Sequence, residues 1–119
     1  MKVAMPTLGE NGLEDQIFPH FGRAPAFTIV DTDTLEFEIQ ENVSEHLGGG
    51  SKAPSVVAGA GAEALLCSGI GPRAITMFES LGVRVFTGAS GSVAASVKAF
   101  KEGRLHEATD KDACIQHRR

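Results

Sequence analysis

Apolar and polar positions change rhythm along this chain. KVAMP, from Lys2 to Pro6, is a short apolar run that stops at a proline, which predicts an opening buried strand. AFTIVD (Ala26 to Asp31) is apolar almost throughout; DTDT then supplies turn chemistry, and LEFEIQENV (Leu35 to Val43) follows, so this region is predicted to be a hairpin. In its second arm Leu35, Phe37 and Ile39 alternate with Glu36, Glu38 and Gln40. Period two predicts one face against the core and the other in water, and the acidic face suits an edge strand. SEHLGGGSKAP, from Ser44 to Pro54, carries a glycine triplet and reads as a flexible connection or a lid.

Beyond it the spacing becomes helical. APSVVAGAGA suits a short helix weakened by its glycines, and EALLCSG (Glu63 to Gly69) reads as a buried strand. GPRAITMFESLG sets Ile75, Phe78 and Leu81 on one helical face, with Pro72 at the start and Gly82 at the end. VRVFTG (Val83 to Gly88) is a predicted strand, and SVAASVKAFKEG is a predicted helix with Ser92 as N-cap, Val93, Val97 and Phe100 buried, and Gly103 as stop. Strand-helix alternation demands parallel pairing, whereas the early hairpin must be antiparallel. The expected fold is therefore α/β, a mixed five-stranded sheet flanked by helices. Residues 1–105 form one domain on this reading, and HEATDKDACIQHRR, residues 106–119, lacks periodicity and is expected to be a flexible tail.

Composition narrows the partners more than the fold. A chain of 119 residues with 42% hydrophobic residues can bury one core without disulfides. Its net charge of -4 argues against a basic surface for nucleic acid. No apolar run has membrane-spanning length and MKVAMPTLGE lacks a signal-peptide core, so a cytoplasmic protein without a membrane partner is expected. In that setting Cys67 and Cys114 are thiols rather than a disulfide.

Candidate chemistry begins with FPHFGRAPAF, Phe18 to Phe27. Neither a turn nor a core needs imidazole beside guanidinium. His20 is either a solvated loop histidine or a ligand for a transition metal; Gly22 leaves room for a bulky group and Arg23 can neutralise an anion. SGIGPRA (Ser68 to Ala74) falls at the carboxyl end of a predicted parallel strand, where open sheets collect ligands. There Gly69 and Gly71 permit close backbone approach and Arg73 offers a fork of donors, although a plain strand-to-helix turn also explains these residues. GASGS (Gly88 to Ser92) is a second such turn, expected on the same rim. Cys67 is either a small buried hydrophobe or a soft metal ligand. CIQH, Cys114 to His117, is half a zinc site at most, and His46 is a loop histidine within reach of the rim. GAGAEA (Gly59 to Ala64) imitates a dinucleotide fingerprint, but Glu79 lies in a predicted helix instead of ending a strand. No nucleophile with its base can be assembled locally, so no catalytic residue is assigned and no enzyme is expected.

PHFGRAPAF, a Gly-rich loop with a histidine, SGIGPRA, and LGVRVFTGASGSVAASVKAFKEGRL occur in this order over Met1 to Leu105. Together they resemble the dinitrogenase iron-molybdenum cofactor biosynthesis family, which includes small nitrogenase accessory proteins. The resemblance implies a compact fold related to ribonuclease H. It also implies noncatalytic binding, carriage or storage of an iron-sulfur or iron-molybdenum type cluster or its precursor, with metallocluster-assembly proteins as partners. On that analogy His20 is the leading ligand, Phe21, Gly22 and Arg23 shape its surroundings, and Gly69 to Arg73 form the opposing wall. Two other classes remain open at this point: a small-anion-binding regulatory or interaction module using the Gly69 to Arg73 turn, and a metal-dependent nuclease-like enzyme, disfavoured because KVAMP carries no carboxylate.

Overall fold

The computed structural model describes residues 1–42 and 53–109. Strands β1 (Lys2–Thr7), β2 (Ala26–Asp31), β3 (Phe37–Glu41), β4 (Ala64–Leu66), β5 (Arg84–Thr87) and β6 (His106–Ala108) form one sheet in the order β3-β2-β1-β4-β5-β6. The pairs β1–β2, β2–β3 and β5–β6 are antiparallel, while β1–β4 and β4–β5 are parallel. Helices α1 (Ala53–Gly59), α2 (Pro72–Ser80) and α3 (Val93–Lys101) cover it. Among the described residues no helix is long and apolar enough to cross a membrane.

The apolar runs are continuous because both faces of the central strands are buried. Ala4, Ile29, Leu65 and Val85 meet Val57 of α1 and Ile75 and Phe78 of α2. Their neighbours Val3, Met5, Val30, Leu66 and Phe86 point the other way, onto Val93 and Val97 of α3. Period two thus feeds two cores. The predicted caps form as well: Ala95 N–H donates to Ser92 Oγ at 3.0 Å, and Gly82 and Gly103 have φ of 79° and 75° just past the ends of α2 and α3.

Three expectations are corrected. The sheet has six strands, not five, because His106–Ala108 pairs with β5 and Glu107 accepts two 2.9 Å hydrogen bonds from the Arg84 guanidinium. The fold therefore continues past Leu105; three residues with no apolar alternation carry too little periodicity to announce an edge strand. Second, the apolar face of β3 is only partly covered, by the loop after β1: Leu35, Phe37 and Ile39 remain 46%, 48% and 39% exposed. Helix α3 packs over β1, β2, β4 and β5, and no β3 residue enters either core. Third, Leu81 lies beyond the last turn of α2 and is 46% exposed, so only Ile75 and Phe78 anchor that helix.

The turn before β3 is held by Asp31, whose carboxylate accepts from the N–H groups of Asp33 and Thr34. It forces Leu35 to φ 65°, a left-handed conformation that costs a non-glycine residue about 1–2 kcal/mol. The loop after β1 is tighter. Gly12 has φ 55°, and a Cβ there would come within 2.5 Å of the Phe37 ring, so glycine is required on both counts. Buried Asp15 organises this loop, accepting from the N–H groups of Gly9, Glu10 and Gln16 at 2.8–3.0 Å. Burial opposes its ionisation, but these backbone donors outweigh burial and hold its carboxyl below the usual value. GAGAEA connects α1 to β4, helix to strand, the reverse of a dinucleotide-binding turn.

Candidate functional site

The strand order decides which loops meet. Since β1 lies between β2 and β4 and runs parallel to β4 but antiparallel to β2, the start of β2 and the end of β4 flank the carboxyl end of β1. The segment before β2 and the turn after β4 therefore face each other across that end. Pro19, His20, Phe21, Gly22 and Arg23 form one wall of a cleft of about 490 Å³, and Gly69, Ile70 and Gly71 form the other.

Each wall is fixed from behind. Phe21–Arg23 make one turn of 3₁₀ helix, closed by Arg23 N–H to His20 C=O at 2.9 Å. The Phe21 ring leans on fully buried Phe78 of α2 with centroids 5.7 Å apart and a tilt of 58°, which ties the histidine segment to the opposite wall. The backbone leaving the segment is clamped to β3 by Asn42 Nδ2 donating to Ala24 C=O at 2.9 Å. These supports leave His20 and Arg23 exposed at the surface of the cleft.

The second wall is the start of α2. Gly71 is its N-cap with extended φ and ψ, and no side chain accepts from the first turn. Pro72 has no N–H of its own, so the donors at this helix start belong to the residues that follow it. A Cβ built at Gly22, Gly69 or Gly71 would meet nothing within 4 Å. None of the three is required by packing, and their effect is to keep the cleft open. Arg73, exposed in the first turn of α2, lies just beyond the lining residues. No carboxylate lines the cleft among the described residues, so its charged lining side chain is the cation Arg23. Imidazole, guanidinium and open backbone suit a compact anion bearing metal or sulfur.

Cys67 is elsewhere. It is 1% exposed in the core under α1 and α2, its thiol donates to Phe86 C=O at 3.6 Å, and burial pushes its pKa up to about 12. A neutral, buried thiol is a packing residue in this structure, and the structure does not bring it into the cleft with His20. The two glycine turns do touch, through Gly88 N–H to Ser68 C=O and Ser68 Oγ to Ala89 C=O at 3.2 and 3.0 Å. Gly88 to Ser92 nevertheless takes no part in lining the cleft. Among the described residues no three His, Cys, Asp or Glu gather as a metal site. His46, Cys114 and His117 lie outside the described residues. Ile70 lines the cleft within the Gly69 to Arg73 wall that the resemblance implies, and Pro19 is a lining residue that sequence reasoning did not single out.

Known proteins share this fold. An uncharacterized protein of Methanocaldococcus jannaschii is 35% identical over 112 residues, covering 90% of this chain and 91% of its own. The NMR structure of a Thermotoga protein described as a NifB protein of the DUF35 family superposes with a TM-score of 0.73 at 34% identity, over 89% of this chain and 91% of that one. The apo form of the orange protein from Desulfovibrio gigas gives a TM-score of 0.82 at 31% identity, over 90% and 92% of the two chains. A family model described as dinitrogenase iron-molybdenum cofactor matches residues 1–103, and the chain belongs to that family.

Proposed function

We propose that this protein is a noncatalytic carrier or store for an iron-sulfur or iron-molybdenum type cluster, or a precursor of one, handing it to metallocluster-assembly proteins. The observation that carries this reading is the convergence of His20, Arg23 and the open Gly69–Gly71 turn on one cleft in a chain of this family. His20 Nδ1 or Nε2 supplies one metal bond; Arg23 and Arg73 balance the cluster's negative charge; Gly22, Gly69 and Gly71 leave space for its bulk. With one imidazole as the lining donor among the described residues, the cargo keeps its own sulfide ligands and is held chiefly by charge and shape. The relative described as an orange protein in its apo form is consistent with a coloured, removable ligand in this fold. The strand order, an antiparallel β3-β2-β1 unit followed by parallel β4 and β5, accords with the ribonuclease H relation that the resemblance implies.

Anaerobic reconstitution with iron and sulfide tests the proposal. The expected result is a stoichiometric visible chromophore that is lost in His20→Ala and retained in Cys67→Ser. A chromophore equally stable in His20→Ala would move the ligand out of this cleft, and no chromophore with iron and sulfide, or with thiomolybdate added, would remove the carrier reading.

A second reading, a small-anion-binding module, draws on the absence of a side-chain cap at Gly71. Thermal stabilisation by phosphate or molybdate without iron would favour it over the carrier. The nuclease-like alternative has less support, since its clustered carboxylates have no counterpart in the cleft lining.

A further inference from the structure

The second feature that asks for a partner is the β3 edge. In the β2–β3 ladder Asp31 N–H donates to Glu36 C=O and Asn42 N–H to Pro25 C=O, which sets Glu36, Glu38, Gln40 and Asn42 as the positions bonded to β2. The N–H and C=O groups of Phe37, Ile39 and Glu41 consequently point away from the sheet. Most edge strands are blunted by shortness, bulges or charge on both faces. This one has an apolar side, Leu35, Phe37 and Ile39, all more than a third exposed. The strip continues into a groove of about 480 Å³ between Leu35 and the α3 residues Ala94, Val97, Lys98, Lys101 and Glu102.

Leu35 adds an independent indication. It occupies a left-handed turn position that glycine or asparagine would fill without strain, and its side chain is 46% exposed. Neither local conformation nor core packing accounts for leucine there. On the other side of the strand acidic groups predominate: Asp31, Glu36 and Glu38, together with Lys2, line a cavity of about 240 Å³. Two copies of β3 side by side would oppose glutamate to glutamate, which disfavours self-pairing. A basic, alternating strand meets both sides at once.

We infer that the outer edge of β3, unpaired among the described residues, receives an extended segment of a partner protein in which apolar residues alternate with Lys or Arg, added as a further strand of the sheet. Its apolar side chains cover Leu35, Phe37 and Ile39, its cationic ones meet Glu36 and Glu38, and its backbone takes the outward groups of Phe37, Ile39 and Glu41. The edge ends beside the cleft, because Asn42 bonds the backbone of Ala24 and Pro25 immediately after Arg23. A partner docked here is positioned next to whatever the cleft holds. The inference does not depend on the cluster reading.

The test uses the full chain and, as probe, a nine-residue amidated peptide in which Val and Ile alternate with Lys. Saturable amide shifts are expected at Phe37, Ile39 and Glu41, with no binding by the same peptide carrying Glu for Lys. Ile39→Pro removes one outward N–H and is expected to weaken binding at least ~10-fold. Leu35→Gly is expected to weaken binding severalfold while leaving the melting temperature equal or higher, a separation that loss of folding cannot mimic. Unchanged affinity in both variants, shifts confined to other elements, or absence of binding would overturn the proposal. So would a concentration-dependent dimer paired through β3, which would assign the edge to a second copy.

Discussion

Two strand-to-helix turns stand side by side at the carboxyl ends of β4 and β5, built from nearly the same residue types, and they serve opposite ends. At Gly88 to Ser92 the chain is closed in: Ser92 Oγ accepts from Ala95 N–H, Ile17 N–H donates to Gly91 C=O, and Val93 N–H donates to Asp15 C=O. At Ser68 to Arg73 the helix starts on a glycine with no side-chain cap, facing the His20 segment across open space. The braced turn commits its donors to the fold, and the open one leaves them without a side-chain cap beside the cleft. Glycine content alone does not separate a structural turn from a binding turn; what surrounds the N–H groups does.

The largest effect on this comparison comes from the shared support. Phe78→Ala removes a fully buried ring beneath both α2 and Phe21, and is expected to cost about 3–5 kcal/mol in denaturant unfolding and to abolish cluster loading. Next is the brace of the closed turn. Asp15→Asn sets an amide donor among backbone donors and should cost about 1–3 kcal/mol, read from the same unfolding curves. Because the folded pKa of Asp15 lies below its ordinary value of 3.8, its contribution is complete above that value and is lost as pH falls through the folded pKa. Acid unfolding below about pH 4 should therefore be shallower in Asp15→Asn than in the parent. Ser92→Ala should cost about 1 kcal/mol with cluster loading unchanged.

The smallest stability change is the most informative. Gly71→Ser offers α2 the cap it lacks, at a position with extended backbone and open space, and should stabilise by a few tenths of a kcal/mol. The same hydroxyl takes up the donors facing the cleft, so cluster loading should fall as the melting temperature rises. Loading that stays constant would show that the start of α2 takes no part in binding.

Much of this molecule was legible in the order of its residues. The apolar runs of β1, β2 and β5, the Ser92 cap, and the glycine stops at Gly82 and Gly103 follow from local rules that depend on neighbours within one or two turns of chain. The motifs PHFGRA and SGIGPRA also named both walls of the cleft. What eluded that reasoning was nonlocal in each case. β6 forms because His106–Ala108 pairs along β5, far away in sequence, and buries Ala108, with the exposed Arg84–Glu107 pair as an addition, and the β3 face stays partly exposed because α3 is placed over other strands.

Cys67 marks the boundary most clearly. Sequence allows a thiol at the end of a strand either to look outward as a ligand or inward as packing, since a strand reverses direction at every residue. Only the third dimension, by setting that residue beneath α1 and α2, decided for the interior. The sequence by itself determined most of the elements, β6 excepted, with their caps and the residue types available for binding, because these rest on backbone preference and hydrophobic period. Tertiary structure alone decided that β1 separates β2 from β4, so that two segments about fifty residues apart form one cleft, because strand order is chosen by burial summed over the whole chain.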